Sequence, residues 1–233
     1  MKKYKFESAT LQRGIRAILP HVAKPSDYVP ILEHVRIFSD GTGLVLEASD
    51  RYRLGRARVE LLDDAAPEPL DVLVRADALK ALALQLKASK ARVGTLITDG
   101  DTVSAELADL TIWSERLDAD LVSQWPSLGK LLAKAVDGAR DLETATPGFR
   151  FNPELLTGIT AGLKAAAGAK AWRESGVNIY RAGGTDSAQL VLTFEDWYVG
   201  VMMPMRGPGG APITDALPEV AGLAQAEPVA TQS

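Results

Sequence analysis

The sequence predicts an α+β protein in which short helices lie on one face of curved antiparallel sheets. Three observations carry this. A strand-like run, an amphipathic helical stripe and three more strand-like runs follow one another over residues 2–60. The same order recurs up to Leu117, and a third version follows residue 149. The three share a plan, β-α-β-β-β, rather than residue identity.

In the first version, residues 2–7 alternate as a strand does, and "SATLQRGIRAILPHV" places Leu11, Ile15, Ile18, Leu19 and Val22 on one helical stripe. Ser8 or Thr10 is the expected cap. "ILEHVRIF", "GLVLEAS" and "YRLGRARVEL" read as strands, the first two divided by the turn signal "SDGTG". In the second, "DVLVRA" is a strand and "DALKALALQLKAS" a helix with Leu79, Leu82 and Leu86 inward. "ARVGTLIT" and "TVSAELADLTIW" add strands around "DGD". In the third, "FRF" is a strand, and a helix capped by Asn152 with Pro153 at its first position carries Leu155, Ile159 and Leu163. "SGVNIYRAG", "AQLVLTFED" and "WYVGVMMPM" are its strands. The irregular passage before it predicts one helix over 126–137, opened by Pro126.

Composition narrows the chemistry. There is no cysteine, which excludes disulfides, thiolate metal sites and cysteine nucleophiles and suits a cytoplasmic protein. No run is long and apolar enough for a membrane span, so no membrane partner is expected. His21 and His34 are the only histidines, and neither has a metal-ligating partner at a meaningful spacing. "RAGGTD" and "DGTG" are turns between strands rather than phosphate-cradling loops, and Asp99 and Asp101 mark a hairpin. No catalytic residue, metal or cofactor is assigned, and the chain is not read as an enzyme. Of the net charge of −4, three negative charges lie on Asp215, Glu219 and Glu227, in a Pro-, Gly- and Ala-rich tail from Gly207 that holds no Lys or Arg. That composition predicts disorder over 207–233. Trp125 and Trp172 are read as packing residues rather than base-stacking ones.

On the residues alone, "SDRYRLGR" is a tight turn entering a solvated strand, and the methionines of "VMMPM" fill a core gap or offer an adaptable surface. A resemblance changes that weighting. "TLQRGIRAILPHV", "YVPILEHVRIF" and "GLVLEASDRYRLGRARVEL" closely resemble the middle domain of bacterial DNA sliding clamps, the beta subunit of DNA polymerase III, where a "TDRxRLA"-like segment occupies the same place. "ERLDADLVSQWPSLGKLL" looks like the linker to that family's last domain, and "FRFNPELLTGI" and "VMMPMR" look like its second half and terminal motif. The matched segments keep family order as far as Arg206. The family's first domain has no counterpart, and the first half of its last domain is reduced to the passage around 126–148, as in a shortened, phage-encoded version. The implied division is 1–117, a clamp domain; 118–148, a linker; 149–206, a half-domain; and 207–233, the tail.

The resemblance implies a DNA clamp fold, a head-to-tail ring around double-stranded DNA without sequence preference, and tethering of DNA polymerase and other replication or repair proteins through short peptides. It also implies a clamp loader. Arg13, Arg16, Lys24, Lys80, Lys87, Lys164 and Lys170 would face the DNA phosphates. Ser49, Arg51, Tyr52, Arg53 and Leu54 would form one wall of a peptide pocket. Val201, Met203, Pro204 and Met205 would form the other, with Arg206 at the rim and Leu131 and Leu132 contributing from the linker. Family rings contain twelve half-domains, so four per chain make a homotrimer and three a tetramer. The trimer is favoured if the 126–137 helix serves as a fourth. Two other readings stay open: an adaptor that binds such peptides without forming a ring, and an inhibitor that pairs with a host clamp.

Overall fold

The computed structural model describes residues 1–25, 29–62, 68–141, 153–182 and 189–203. Strand β1 (Lys2–Glu7) runs into helix α1 (Ser8–Ile18), followed by β2 (His34–Ser39), β3 (Gly43–Ser49) and β4 (Arg53–Glu60). The second copy of the plan is β5 (Asp71–Arg75), α2 (Ala76–Ala88), β6 (Val93–Asp99), β7 (Thr102–Leu107) and β8 (Leu110–Arg116). Then come α3 (Ala119–Val122), α4 (Leu128–Asp137) and β9 (Ala139–Asp141), and last α5 (Pro153–Ser175), β10 (Asn178–Ala182), β11 (Gln189–Phe194) and β12 (Tyr198–Met202). The α+β class is therefore as the sequence predicts, and the plan is complete in the first two copies, while of the third the helix and the three strands after it are described.

Strand pairing interlocks the copies. One sheet has the order β1-β6-β7-β8 and the other β5-β2-β3-β4-β12-β11-β10-β9. Each of the first two copies thus lends its leading strand to its partner: β1 pairs with β6, and β5 with β2, both antiparallel. The third copy extends the first directly, because β12 pairs antiparallel with β4 and sets Gly200 opposite Gly55 and Val201 opposite Leu54.

Strand alternation then gives the eight-stranded sheet two apolar faces. On one lie α1, α2 and α5, whose Leu11, Ile15, Leu79, Leu82, Ile159 and Leu163 share a core with Leu46, Leu96, Leu192 and Met202. On the other lies α4, whose Leu128, Leu132 and Val136 pack with Phe38, Val45, Leu54, Trp125, Val199 and Val201. Burial on both faces explains why β3, "GLVLEAS", has no exposed position. Inside the second layer, Glu47 is wholly buried and accepts hydrogen bonds from Arg56 Nε and from Trp125 Nε1, both at 2.7 Å. Arg36 donates both ends of its fork to Asp71 at 2.7 Å, and the Arg36 and Arg56 guanidinium carbons sit 5.2 and 5.3 Å from the Phe38 ring centroid. Trp125 is thereby fixed to β3, and with it the connection into α4.

Several local expectations are corrected. Helix α1 stops at Ile18 and tightens into a 3-10 turn, Leu19–His21, because Pro20 has no N–H for a continuing helix. Its cap is Glu7 rather than Ser8 or Thr10, and no side chain bonds the first turn; Ser8 is itself helical and buried. The linker helix begins at Leu128, with Ser127 rather than Pro126 at its boundary, and the short α3 precedes it. The linker also supplies a strand, β9, paired with β10. Helix α5 is broken at Gly168, whose φ of 79° and ψ of 165° lie outside helical space. The expected "FRF" strand and the Asn152 cap fall outside the described residues.

Helices α1 and α5 approach closely at Gly162, where an added Cβ would stand 2.5 Å from Pro20 Cγ and 3.1 Å from the Arg16 carbonyl oxygen. A Gly162→Ala variant should therefore lose about 1–3 kcal/mol of stability, read from urea unfolding, despite alanine's better helix propensity. An unchanged or raised midpoint would mean that the two helices can separate without cost.

Candidate functional site

The turn from β3 to β4 is organised by Asp50. Its Oδ1 accepts the backbone N–H groups of Tyr52 at 3.0 Å and Arg53 at 2.7 Å, while Oδ2 takes Arg53 Nε and Nη2 at 2.8 and 2.6 Å. Ser49 Oγ accepts from the Arg51 N–H at 3.2 Å and donates to the Arg53 carbonyl at 2.8 Å. Arg51 is held in the left-handed region, φ 75°. With the backbone so constrained, the Tyr52 ring stands 59% exposed. The Tyr52 carbonyl then accepts the Met203 N–H at 2.8 Å, continuing the β4 and β12 pairing past its last ladder pair.

The two expected walls thus meet, though not as a row of equals. Tyr52 and Met203 form the exposed part, and Gln189 Nε2 lies 3.3 Å from Met203 Sδ. Leu54 and Val201, 7% and 5% exposed, are paired beneath as a floor against α4. Arg53 is not on this wall: alternation along β4 turns it to the opposite face, where Nη1 lies 3.1 Å from the position a Cβ would take on Gly158 of α5. Leu132 is wholly buried beneath α4, and Leu131, 58% exposed, is the linker leucine that reaches the surface. Pro204, Met205 and Arg206 lie outside the described residues.

The seven cations divide likewise. Arg13 and Arg16 are half-buried and tied to their neighbours: Arg13 stacks over the Trp197 ring at 4.5 Å, and Arg16 Nη1 donates to the Ala165 carbonyl of α5 at 3.0 Å. On the other flank of α1, Gln12 Nε2 reaches the Ala83 carbonyl of α2 at 2.9 Å. Lys24 is exposed beyond the 3-10 turn rather than on a helix. Lys80 and Lys87 of α2 and Lys164 and Lys170 of α5 are exposed, with Lys170 past the break at Gly168. Trp172 packs parallel to Phe194, with centroids 6.0 Å apart, and Trp125 is buried as described. Helix α4 lies on the far side of the eight-stranded sheet from α1, α2 and α5.

Over the junction of β4 and β12 sits a pair that sequence reasoning missed. His21 Nε2 and the Tyr198 hydroxyl share a hydrogen bond of 2.7 Å, and both residues are wholly buried. Gly55 and Gly200 make the room: a Cβ on Gly55 would stand 2.7 Å from the His21 ring, and one on Gly200 would strike the Tyr198 hydroxyl. Burial, assisted by the Arg53 guanidinium, pushes His21 down to about 3, and burial raises the Tyr198 hydroxyl. The usable signal was the glycine in each of "RLGRA" and "YVGVM", where a strand interior normally avoids it. Among the described residues no group of His, Cys, Asp and Glu could hold a metal ion, and no helix is long and apolar enough to cross a membrane.

No protein-family model and no curated protein matches the chain. Solved structures do. The DNA polymerase III beta subunit of Thermotoga maritima aligns with TM-score 0.60 and 12% identity over 88% of this chain and 64% of its own. The DNA polymerase sliding clamp of Bacillus subtilis gives 0.58 and 14% over the same shares. A sliding clamp of Pseudomonas aeruginosa, solved with a ligand, gives 0.57 and 14% over 88% and 66%. The chain has the sliding-clamp fold, and it spans just under two thirds of the length of these structures.

The His21 environment makes stability depend on pH. The folded chain refuses a proton that the unfolded chain binds below about pH 6.5, so stability is full above that value and declines as pH falls toward 3. The limiting slope is about 1.4 kcal/mol per pH unit. Urea unfolding between pH 7 and 4.5 should show a shallower decline for His21→Gln than for the unaltered chain. Equal slopes would mean that folded His21 accepts the proton.

Proposed function

We propose that this protein is a DNA sliding clamp: a ring that encircles duplex DNA and tethers replication proteins by short peptides. The observation that carries the reading is the clamp fold with its three helices on one side, two of them presenting exposed lysines, Lys80 and Lys87 on α2 and Lys164 and Lys170 on α5. Such a face meets phosphates without reading bases, so contact is mobile and weakens with salt. Retention is topological and needs no catalysis, in keeping with the names of the matched structures. Double-stranded DNA, a polymerase with other replication or repair proteins, and a clamp loader are the partners this reading carries.

Ring closure needs a heterologous interface whose rotation closes. Strand β8 has an unpaired edge among the described residues, as does β9 at the far end of the eight-stranded sheet. Pairing of one with the other between copies supplies a head-to-tail contact. With α4 on the wrong side of the sheet to act as a fourth helix, three half-domains per chain favour four copies in a twelve-part ring over the trimer that the sequence suggested. The peptide site is the exposed Tyr52 and Met203 over Leu54 and Val201, flanked by Leu131. A flexible thioether beside a fixed aromatic suits Leu- and Phe-bearing peptides of differing shape.

Light scattering on protein at several concentrations should give a tetramer. On nicked circular DNA, with a clamp loader supplied, the ring should stay bound and then slide off when the circle is cut. A monomer with no such retention would overturn the ring and leave the adaptor reading. Met203→Asp should weaken binding of a fluorescent Leu-Phe peptide more than tenfold, measured by anisotropy, with the unfolding midpoint little changed because the side chain is 40% exposed. Unchanged affinity would place the peptide elsewhere.

A further inference from the structure

Sulfur in this chain is carried by four methionines and no cysteine, so no thiol competes for an oxidant. Two of the four are consecutive and differently placed. Met202 is wholly buried and shares the helical-face core with Leu190 and Leu192, whereas Met203 is 40% exposed at the patch with Tyr52. The Met203 N–H donates to the Tyr52 carbonyl at 2.8 Å, and Gln189 Nε2 donates to its Sδ at 3.3 Å. Strand alternation accounts for that meeting, since Gln189 and Met203 fall on the face of Val191 and Val201. A thioether accepts such a bond weakly, and the side chain keeps its access to solvent.

We propose that Met203 is a site of reversible oxidation by hydroperoxides, and that its sulfoxide closes the patch to apolar peptides. The proposal rests on the patch being the peptide site proposed above, and it assigns that site its regulation. The step is a two-electron oxygen transfer. A lone pair of Met203 Sδ attacks the terminal oxygen of the hydroperoxide, and the O–O bond breaks as the S–O bond forms. The proton of the attacked oxygen passes to the leaving oxygen, which departs as water or an alcohol; sulfur is oxidised and the peroxide reduced. A sulfoxide reductase with a dithiol reverses the change, giving the thioether, a disulfide of the reductant and one water. Oxidation exchanges a flexible apolar side chain for a polar one. The sulfoxide oxygen is a strong acceptor, and the Gln189 amide, 3.3 Å from the sulfur, is the donor nearest to hand. A Leu or Phe anchor above Leu54 and Val201 would then have to strip water from the sulfoxide, and gains nothing in return. Met202 carries the same chemistry one residue away, but its burial denies the oxidant access and keeps the core intact.

The test treats the full chain with hydrogen peroxide and follows each methionine by mass spectrometry of proteolytic fragments, beside binding of the fluorescent Leu-Phe peptide by anisotropy. Met203 should gain oxygen well before Met202, and peptide affinity should fall about tenfold or more in step with it while the unfolding midpoint holds. Methionine sulfoxide reductases of both epimer specificities should restore the affinity. A Met203→Leu chain, whatever affinity it starts from, should bind the peptide equally before and after peroxide. Full oxidation of Met203 with affinity unchanged would overturn the proposal and leave the peptide site standing. So would a Met203→Leu chain that loses affinity to peroxide as the unaltered chain does, because another residue would then be the target. Oxidation of Met202 at the same rate, with a falling midpoint, would mean that peroxide acts by unfolding the chain, and would overturn it too. If the peptide binds no chain even before peroxide, the peptide site itself fails and takes the proposal with it.

Discussion

The antiparallel pairing of β4 with β12 is the constraint on which the rest of the structure depends. It joins two copies of the β-α-β-β-β plan that lie more than a hundred residues apart in the chain. Its register decides what meets on each face. On the helical face it brings Gly55 opposite Gly200 and so admits His21 and Tyr198. On the other it brings Leu54 opposite Val201 and, one bond further, Tyr52 beside Met203. A shift by one residue would exchange the faces, directing Leu54 at the glycine-lined space that His21 occupies. The buried pair and the two glycines therefore act as a register pin, since only this alignment leaves room for the two rings.

The two faces are sealed by different means. Helices α1, α2 and α5 cover the first with aliphatic side chains, and α1 is tied to its neighbours by Gln12 and Arg16, each donating to a main-chain carbonyl. The second is covered by α4, a helix in the linker, and its anchor is polar: Glu47 receives Arg56 and Trp125 in a layer that excludes water. Removing one partner from such a layer leaves a charge buried alone, which costs more than the pair contributes when intact. Linker and sheet are thus bound to one another, and the exposed residues at Tyr52, Met203 and Leu131 sit on a fixed base.

The same interlocking explains why the cations do not act alike. Arg13 and Arg16 lie half-buried on the middle helix of three, where Arg13 stacks on Trp197 in the turn between β11 and β12 and Arg16 reaches a main-chain carbonyl of α5. A guanidinium suits such a place, because it stacks on an indole and donates to carbonyls with little loss of hydration. The lysines of α2 and α5 lie on the outer helices and keep their ammonium groups in water.

Much of this was legible in the sequence, because it is local. Hydrophobic period separated strands from helices, turn signals divided the hairpins, and the order of motifs pointed to the clamp fold at an identity too low for whole-chain matching. The stripe Leu79, Leu82 and Leu86 is buried as its spacing requires. Pairing between distant segments was not legible. Nothing within β1 says that it belongs with β6, or within β4 that its partner is β12. The stacking of Arg13 on Trp197, the turning of Arg53 away from Tyr52, the side of the sheet that α4 covers and the meeting of His21 with Tyr198 all follow from such pairings. A residue's period states which face it shares with its neighbours in sequence; only tertiary packing decides what covers that face.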